Sequence, residues 1–544
     1  MTSQQDTFAN NTMANTQQPT SYFTRQIDAF YQHLYKELTL FVSATPTKTN
    51  GEAYRNFLEY WTYTLFRDYG IKRKLHKYGE SVEADFINDL DRRIYGDNKK
   101  MLVQFYYDKG NRAYDKNSMI TQLCRHMLFD FASLSIVSLG VTKALPTLSD
   151  VWDAIPTISE DGKKHFIIEQ FLEGTMMVFN PSLERFNYEI VQRNVDEEAE
   201  QSERQIRHFE TSTRRKIGTS YFNNPGKTFK EMFDENNTIA GFDWDAIPDE
   251  FKKQFCFVFN IEHKENRIVS PFINNTNTLV TVYKLPNIEA RVMYINELIE
   301  KDLVNDKDLF FRALTIGGFI QEYSPQFINN MLSQYNQTMV IPNVIKPVNC
   351  TLEELKMITD NIASQLRKYD IGIVVKDAFS GARTKVRNQV YSDLLELKGH
   401  HPMSLNENNN IHLFRLWWRL KNDKQIKKFL SVFETKDGEY EKLFRSYYDK
   451  MVAMTQNLYD VYQAVFVRKE MPAKEIEYKF KPMCGDLHKA YMTEKRGRIK
   501  KDVIEYINSR EWFQIYWRLF GLADNIADTT EAATTDEVKL PDAE

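Results

Sequence analysis

Four cysteines are spread over 544 residues, at Cys124, Cys256, Cys350 and Cys484, and no two form a C-x-x-C pair. That spacing suggests neither a disulfide framework nor a zinc knuckle, and it fits a reducing, cytoplasmic or otherwise intracellular compartment. The ten histidines make no H-E-x-x-H. Cys484 and His488 stand four apart but read as core and surface residues, so no structural metal is expected. Long apolar runs are missing too: the most apolar segment, 127–141, is broken by Asp130 and by serines, short of the roughly 18 residues a membrane span requires. No membrane partner is expected. Nor does one sign of charge prevail. A formal net charge of −4 excludes a generally basic protein, so any nucleic-acid contact must come from local patches. Residues 1–20 are rich in Gln, Asn, Ser and Thr, lack the basic start and apolar core of a signal peptide, and read as a disordered leader.

What is present is enough apolar material for sizeable cores, 42% hydrophobic and 13% aromatic, and a length that allows two to four domains. Residues 21–100 read as a helical segment, with apolar positions at helical spacing around Phe30–Leu38 and Phe57–Phe66. Its cluster Lys72-Arg73-Lys74, with His76 and Lys77, can face a polyanion or form a solvated helix face. From Met101 the period changes to two. Short strands are expected at Met101–Tyr107, Met127–Asp130, Ser135–Gly140, Glu169–Phe179, Tyr188–Gln192, Phe255–Glu262, Arg267–Ser270, Leu279–Tyr283 and Gly372–Lys376. Helices over Asn287–Val304 and Leu352–Tyr369 fall between some of them. The plan is α+β with mainly antiparallel sheets over 101–400, and the acidic stretch Val195–Gln205 is the best internal loop. After Tyr391 the period is helical again, giving an aromatic-rich helical domain over 401–522 with its boundary near His400-His401-Pro402. Residues 523–544 read as a disordered acidic tail.

The stretch Glu169–Phe179 places Glu173-Gly174-Thr175 at the corner between two alternating apolar runs. Such a corner brings backbone close to a ligand and can cradle a phosphate, or it can simply turn. A second basic cluster, Lys495, Arg496, Arg498, Lys500 and Lys501, either contacts phosphate or solvates a helix start.

An ordered set of short motifs carries a family resemblance. It consists of Leu123-Cys-Arg-His-Met-Leu-Phe-Asp130, Ser138-Leu-Gly-Val-Thr-Lys143, Leu172-Glu-Gly-Thr175, Ser212-Thr-Arg-Arg-Lys-Ile-Gly218, Phe257-Val-Phe-Asn260, Glu265-Asn-Arg-Ile-Val269, Gly372-Ile-Val-Val-Lys376 and Arg383-Thr-Lys-Val-Arg-Asn-Gln-Val-Tyr391. In order and spacing these resemble the covalent nucleotidyltransferases, and more narrowly the phage-type RNA ligases and the ligase-like proteins of large DNA viruses. The resemblance implies a nucleotidyltransferase (ATP-grasp-like ligase) core, with ATP and Mg as possible cofactors, nucleotide and possibly RNA as partners, and a host-cytoplasm or virion location. It also implies that Arg125, Lys143, Glu173, Arg215, Lys376, Lys385 and Arg387 surround a nucleotide.

The departures give that resemblance a direction. Family chemistry needs a lysine amine that attacks the α-phosphate, and that position is Phe171, which has no amine. Glutamates expected at two further places are Asn260 and Ile371. Lys163 and Lys164 lie too far along an extended strand to substitute. Phosphate binding needs only positive charge and donors, whereas transfer needs the missing groups. The leading expectation is therefore a nucleotide- or RNA-binding protein of ligase-like fold without ordinary lysyl-AMP chemistry. An active ligase with a relocated nucleophile and a structural or virion scaffold stand as alternatives.

Overall fold

A computed structural model describes residues 21–44, 50–78, 100–107, 111–130, 133–155, 161–186, 188–191, 204–207, 211–212, 227–266, 269, 275–301, 303, 306–378, 380–399, 405, 410–494 and 499–521. Both end segments, most of the acidic stretch Val195–Gln205, Arg215, nearly all of Arg267–Ser270, and Lys495, Arg496 and Arg498 lie outside them. The chain forms two compact units, Met1–Ser392 and Asp393–Glu544.

The first unit opens with helices α1 (Tyr22–Ala44) and α2 (Asn50–Tyr69). Phe23, Ile27, Phe30, Leu34 and Leu38 recur at three- and four-residue intervals, which puts one apolar stripe on α1; Phe57, Trp61 and Leu65 do the same on α2, and all are buried. These stripes meet over the first sheet, where Trp61 packs edge-on against Phe30 at 5.4 Å and Phe105 at 5.7 Å between ring centres. That sheet is antiparallel, in the order β1 (Ile71–Tyr78), β2 (Lys100–Tyr107), β3 (Met127–Asp130), β4 (Ser135–Leu139). The helical reading of 71–78 is thus corrected. Lys72, Arg73 and Lys74 sit on β1, whose full length pairs with β2 from Ile71 opposite Tyr107 to Tyr78 opposite Lys100. Pairing with a neighbouring strand outweighs a locally helical pattern, and lysines are common on such an edge.

The remaining strands in chain order are β5 (Lys164–Phe171), β6 (Thr175–Phe179), β7 (Tyr188–Val191), β8 (Arg204–Arg207), β9 (Thr211–Ser212), β10 (Phe255–Glu262), β11 (Thr276–Lys284), β12 (Gln321–Tyr323), β13 (Val344–Cys350), β14 (Gly372–Asp377) and β15 (Arg383–Arg387). A five-stranded sheet runs β12-β11-β10-β6-β9 and a four-stranded one β13-β5-β14-β15; β7 and β8 form a two-stranded sheet among the described residues. All these pairings are antiparallel, so the unit is α+β as the alternation implied.

Period-two alternation decides what each face does. Along β10, Phe255, Phe257, Phe259 and Ile261 enter a core with Phe229, Phe233, Phe251 and Ile328 from flanking helices, while Cys256 and Val258 join the core beneath α1. The same parity turns Asn260 and Glu262 away from the phenylalanines. Along β5 and β14, Phe166, Ile168, Ile373 and Val375 pack with Val151 and Leu355 from the helices Leu148–Asp153 and Leu352–Ser364. Their alternates, Glu169 and Lys376 among them, lie on the opposite face.

The second unit is helical throughout its described residues. The helices Asn410–Asn422 and Glu439–Tyr462 pack aromatic stripes together, Phe414 lying 5.3 Å from Tyr447. The latter runs on into a π-helical turn, Gln463–Val467. His488 stacks on Phe466 at 4.2 Å, and Cys484 is buried nearby in sequence. Among the described residues no helix is long and apolar enough to cross a membrane.

Candidate functional site

Register places the charged residues. Phe171 lies opposite Gly372, and Gly372 opposite Arg387; two residues along, Glu169 faces Val374 and Val374 faces Lys385; two further, Lys376 faces Arg383. Cross-strand partners project to the same side of a sheet, so Glu169, Phe171, Lys376, Arg383, Lys385 and Arg387 share one face. The centre of the first row carries no side chain. Gly372 has φ +153°, and a Cβ there would stand 2.1 Å from the Val386 carbonyl oxygen. The half-buried Lys385 lays its Nζ over the Phe171 ring, 4.2 Å from the ring centre, and the Arg387 guanidinium lies 5.7 Å from the same centre.

Arg125 completes this group from the segment between the helix Met119–Leu123 and β3. Burial first, and then the positive charges of Arg125, Arg383 and Arg387, pull the Lys385 amine down to about 7. Arg383 is the buried member. Its Nη1 lies 3.5 Å from Glu322 Oε1 on β12, and its Nη2 donates to Thr142 Oγ1 at 2.9 Å. Burial works against ionisation of Glu322, yet Arg383, Lys376 and the hydroxyl of Thr281 outweigh it and hold the carboxyl below its ordinary range.

Glu173 is spent on structure. Oε1 accepts the Val269 amide at 2.7 Å, Oε2 accepts the Tyr391 hydroxyl at 2.6 Å, and its backbone carbonyl accepts Asn260 Nδ2 at 2.5 Å. Thus Asn260, standing where a glutamate was expected, ties β10 to the corner before β6. Glu262, two residues on and on the same face, lies within electrostatic range of Glu173; burial and that neighbouring charge push its carboxyl up to about 7.

The sign of that shift fixes a prediction. A carboxyl whose folded-state pKa exceeds its unfolded value weakens the fold most above the folded value, and the penalty fades as pH falls from about 7 towards 4.5. Glu262→Gln should therefore stabilise the protein by about 1–2 kcal/mol at pH 8, after discounting for partial exposure, and by nearly nothing at pH 4.5. Urea titrations at the two pH values check this, and an equal effect at both would contradict it.

Among the seven residues expected around a nucleotide, Lys385 and Arg387 lie over the Phe171 ring, Arg125 is within electrostatic range of Lys385, and Lys376 shares the sheet face. Glu173 reaches the cluster indirectly, since Tyr391 feels both Glu173 and Arg387. Lys143 is directed to aromatic rings, its Nζ 4.9 Å from the Tyr114 ring centre and within 3.4 Å of the Lys116 carbonyl. Arg215 lies outside the described residues. Lys164, weighed as a substitute amine, donates to the carbonyls of Trp152 and Ile155 at 2.6 and 3.3 Å.

Three participants are not among the site residues expected from the sequence: Glu262, Arg383 and Glu322. The first two carried a readable signal, standing two positions from Asn260 and Lys385 and hence on the same faces. Glu322 carried none, because its role depends on a pairing across 61 residues.

Among the described residues, one cluster of side chains has metal-ligand spacing. His33, Glu37 and Asp68 bring ligand atoms within 4.8 Å of one another. Trp61 Nε1 donates to His33 Nδ1 at 3.2 Å, which leaves the neutral ring's proton on Nε2, and Arg67 already pairs with Asp68 at 2.5 Å. Protein groups thus engage ligand atoms of two of the three residues.

No protein-family model matches the chain, and no curated protein matches it. Among solved structures, two forms of an archaeal ATP-dependent RNA ligase overlay on it with a TM-score of 0.30, at 9% identity for form 2 and 10% for form 1. Each covers 73% of this chain and 78% of the ligase. A TM-score at that level does not establish a shared fold.

Proposed function

We propose that the first unit binds the phosphates of a nucleotide or of RNA through Arg125, Lys385 and Arg387, and that it does so without lysyl-AMP chemistry at position 171. In this reading the chain is a ligase-like protein of the kind large DNA viruses carry, with ordinary ligase activity lost. The supporting observation is a pair of cations over one aromatic ring, with Arg125 within electrostatic range of Lys385. Like charges held together repel, and a polyanion that accepts several charge-assisted hydrogen bonds relieves that repulsion. Two guanidinium groups offer forked donors suited to phosphate oxygens, and the Phe171 face can accept a base or sugar by stacking. Phe171 cannot form a phosphoramidate.

The residues present also fit a divalent cation accompanying a triphosphate. Magnesium is commonly held by one or two carboxylates together with substrate phosphates. Glu173 has both oxygens engaged, whereas Glu262 is a half-buried carboxyl beside it that a cation would favour in its ionised form. Glu262 would hold the ion, which when bound offsets phosphate charge.

The test is equilibrium binding of fluorescent ATP and of a 5′-phosphorylated RNA oligonucleotide to the full chain. Arg125→Ala and Arg387→Ala should each weaken binding by roughly tenfold, about 1.4 kcal/mol, and should reduce the salt dependence of RNA binding. Unchanged affinities in both variants, or no binding by the wild type, would contradict the proposal.

A further inference from the structure

We propose that the first unit holds a further ligand site, a cleft at the ends of β10 and β11 where Lys253 and Lys284 bind a small organic dianion, a phosphate monoester with an apolar body. The inference does not depend on the nucleotide-binding reading above, because it concerns other residues.

A cavity of about 580 Å³ lies between the turn after β6, the approach to β10 and the segment that leads from β11 into the helix Ile288–Glu300. That volume is within the range of small-ligand sites. From Gln254 at its edge to Glu262 is roughly 25 Å along β10, at about 3.3 Å per residue, so the cleft is distinct from the corner at Glu173. Its walls are fixed by backbone bonds. The Leu285 amide donates to the Gln254 carbonyl at 2.8 Å, and the Asn287 amide to the Gly317 carbonyl at 2.8 Å. Gly317 is left-handed at φ +80°, and a Cβ there would stand 2.3 Å from the Asn287 carbonyl oxygen. On the third side the Ser182 amide donates to Asn180 Oδ1 at 3.0 Å. The cleft is therefore formed before any ligand arrives, which lowers the cost of binding.

The lining sets the ligand's charge. Among the described residues, Lys253 and Lys284 line the cleft and no carboxylate does. Asp249, outside it, lies 2.9 Å from Lys252 and 3.4 Å from Lys253, so these three residues together carry one net positive charge. Lys284 supplies a second. It ends β11 opposite Phe255, and no hydrogen bond or ion pair engages its Nζ among the described residues. Asn287 directs its side-chain oxygen to the Ala290 amide at 3.2 Å, which leaves its Nδ2 hydrogens as donors. A phosphate monoester carries about −1.5 to −2 at neutral pH and accepts charge-assisted hydrogen bonds on three oxygens. The remaining wall sets the ligand's body. Pro181, Pro286 and Ile288 present apolar surface, and Ile288 is backed by Leu102, Leu128 and Val137. Inorganic phosphate leaves that surface in water, whereas an aryl or alkyl ester covers it.

The experiment is lysine footprinting of the full chain, by brief acetylation and peptide mass analysis, with phenyl phosphate as the probe. Both lysines are exposed and open to the reagent. Phenyl phosphate at about five times its half-saturating concentration should slow labelling of Lys253 and of Lys284 by about sixfold, with the same half-saturating concentration read at each. Lys284→Ala should raise the value read at Lys253 about tenfold, and Lys284→Arg should keep it within about threefold of the wild type. Inorganic phosphate should need about tenfold more than the ester, and benzoate, which has the ring but one charge, should also need several-fold more.

Unchanged labelling of both lysines at about 10 mM phenyl phosphate, a concentration that corresponds to less than 3 kcal/mol of binding, overturns the inference. Protection at Lys253 that is indifferent to Lys284→Ala overturns it as well, since the two would then act as separate surface charges. Benzoate as effective as phenyl phosphate overturns the assignment of a dianion.

Discussion

Replacing Arg383 with methionine is expected to cost about 3–5 kcal/mol of stability, because it strands a buried carboxylate. Arg383 is only 7% exposed, and it lies between Glu322 on β12 and Thr142 after β4, so it joins the two sheets that hold the site. Glu322 would keep the Thr281 hydroxyl at 2.8 Å and the field of Lys376, which sets the outcome towards the lower end of that range. The paired change Arg383→Met with Glu322→Met should recover at least 2 kcal/mol of the loss, since the cost arises from an unpaired charge and not from a missing contact. A double-mutant cycle by urea titration measures this directly. A loss below 1 kcal/mol for Arg383→Met would show that water reaches the pair. Acid should act on the wild type in the same sense: a carboxyl held below its ordinary range stabilises the fold above its unfolded value of 4.5, and that contribution disappears as pH falls through the lower folded value.

Gly174→Ala is expected to destabilise the first unit by about 3 kcal/mol or more. Gly174 has φ +135°, and a Cβ on it would stand 2.3 Å from the Ile261 carbonyl oxygen and 2.8 Å from Asn260 Nδ2. Ile261 pairs with Thr175 at the start of β6, so relief of the clash must part β6 from β10 at the turn that presents Glu173. The bonds from Val269 and Tyr391 to Glu173 would be lost with it. Gly162→Ala makes a useful control. That glycine is also left-handed, at φ +69°, but nothing lies within 4 Å of its Cβ position, so about 1 kcal/mol is expected. Thermal unfolding of the two variants should differ by several degrees. Equal shifts would mean that backbone strain alone, and not the approach of β10, sets the cost at Gly174.

The corner at Glu173-Gly174 was legible in the sequence because alternation stops there and a glycine follows, and both facts are local. The same holds for β2, β3, β4, β10 and β14, whose apolar residues recur at period two. β1 was not legible, since Lys72, Arg73, Lys74 and Lys77 give no apolar alternation and only the partner β2 makes the segment a strand. The edge strand β13 was missed for a related reason: Lys346, Pro347 and Asn349 are poor strand formers whose placement follows from pairing with β5. At the site, motif order pointed to Lys385 and Arg387, and neither residue signals the contact with Phe171, which depends on how β5, β14 and β15 are aligned. Glu262 is legible only through Asn260, two positions away on the same face. Asn260 fastens the corner, and the Glu262 carboxyl stands two residues further along the same face.

The contact between Lys385 and Phe171 also constrains how this site can change over evolutionary time. An ammonium group introduced at 171 would face one already there. Two unit charges about 4 Å apart repel by roughly 4 kcal/mol at an effective dielectric constant near 20, and three arginines add to the same potential. A chain bearing lysine at both positions is therefore a costly intermediate. A lysine at 171 becomes accessible only after position 385 has given up its charge, so the two sites form an epistatic pair in which the order of substitution decides which paths remain open.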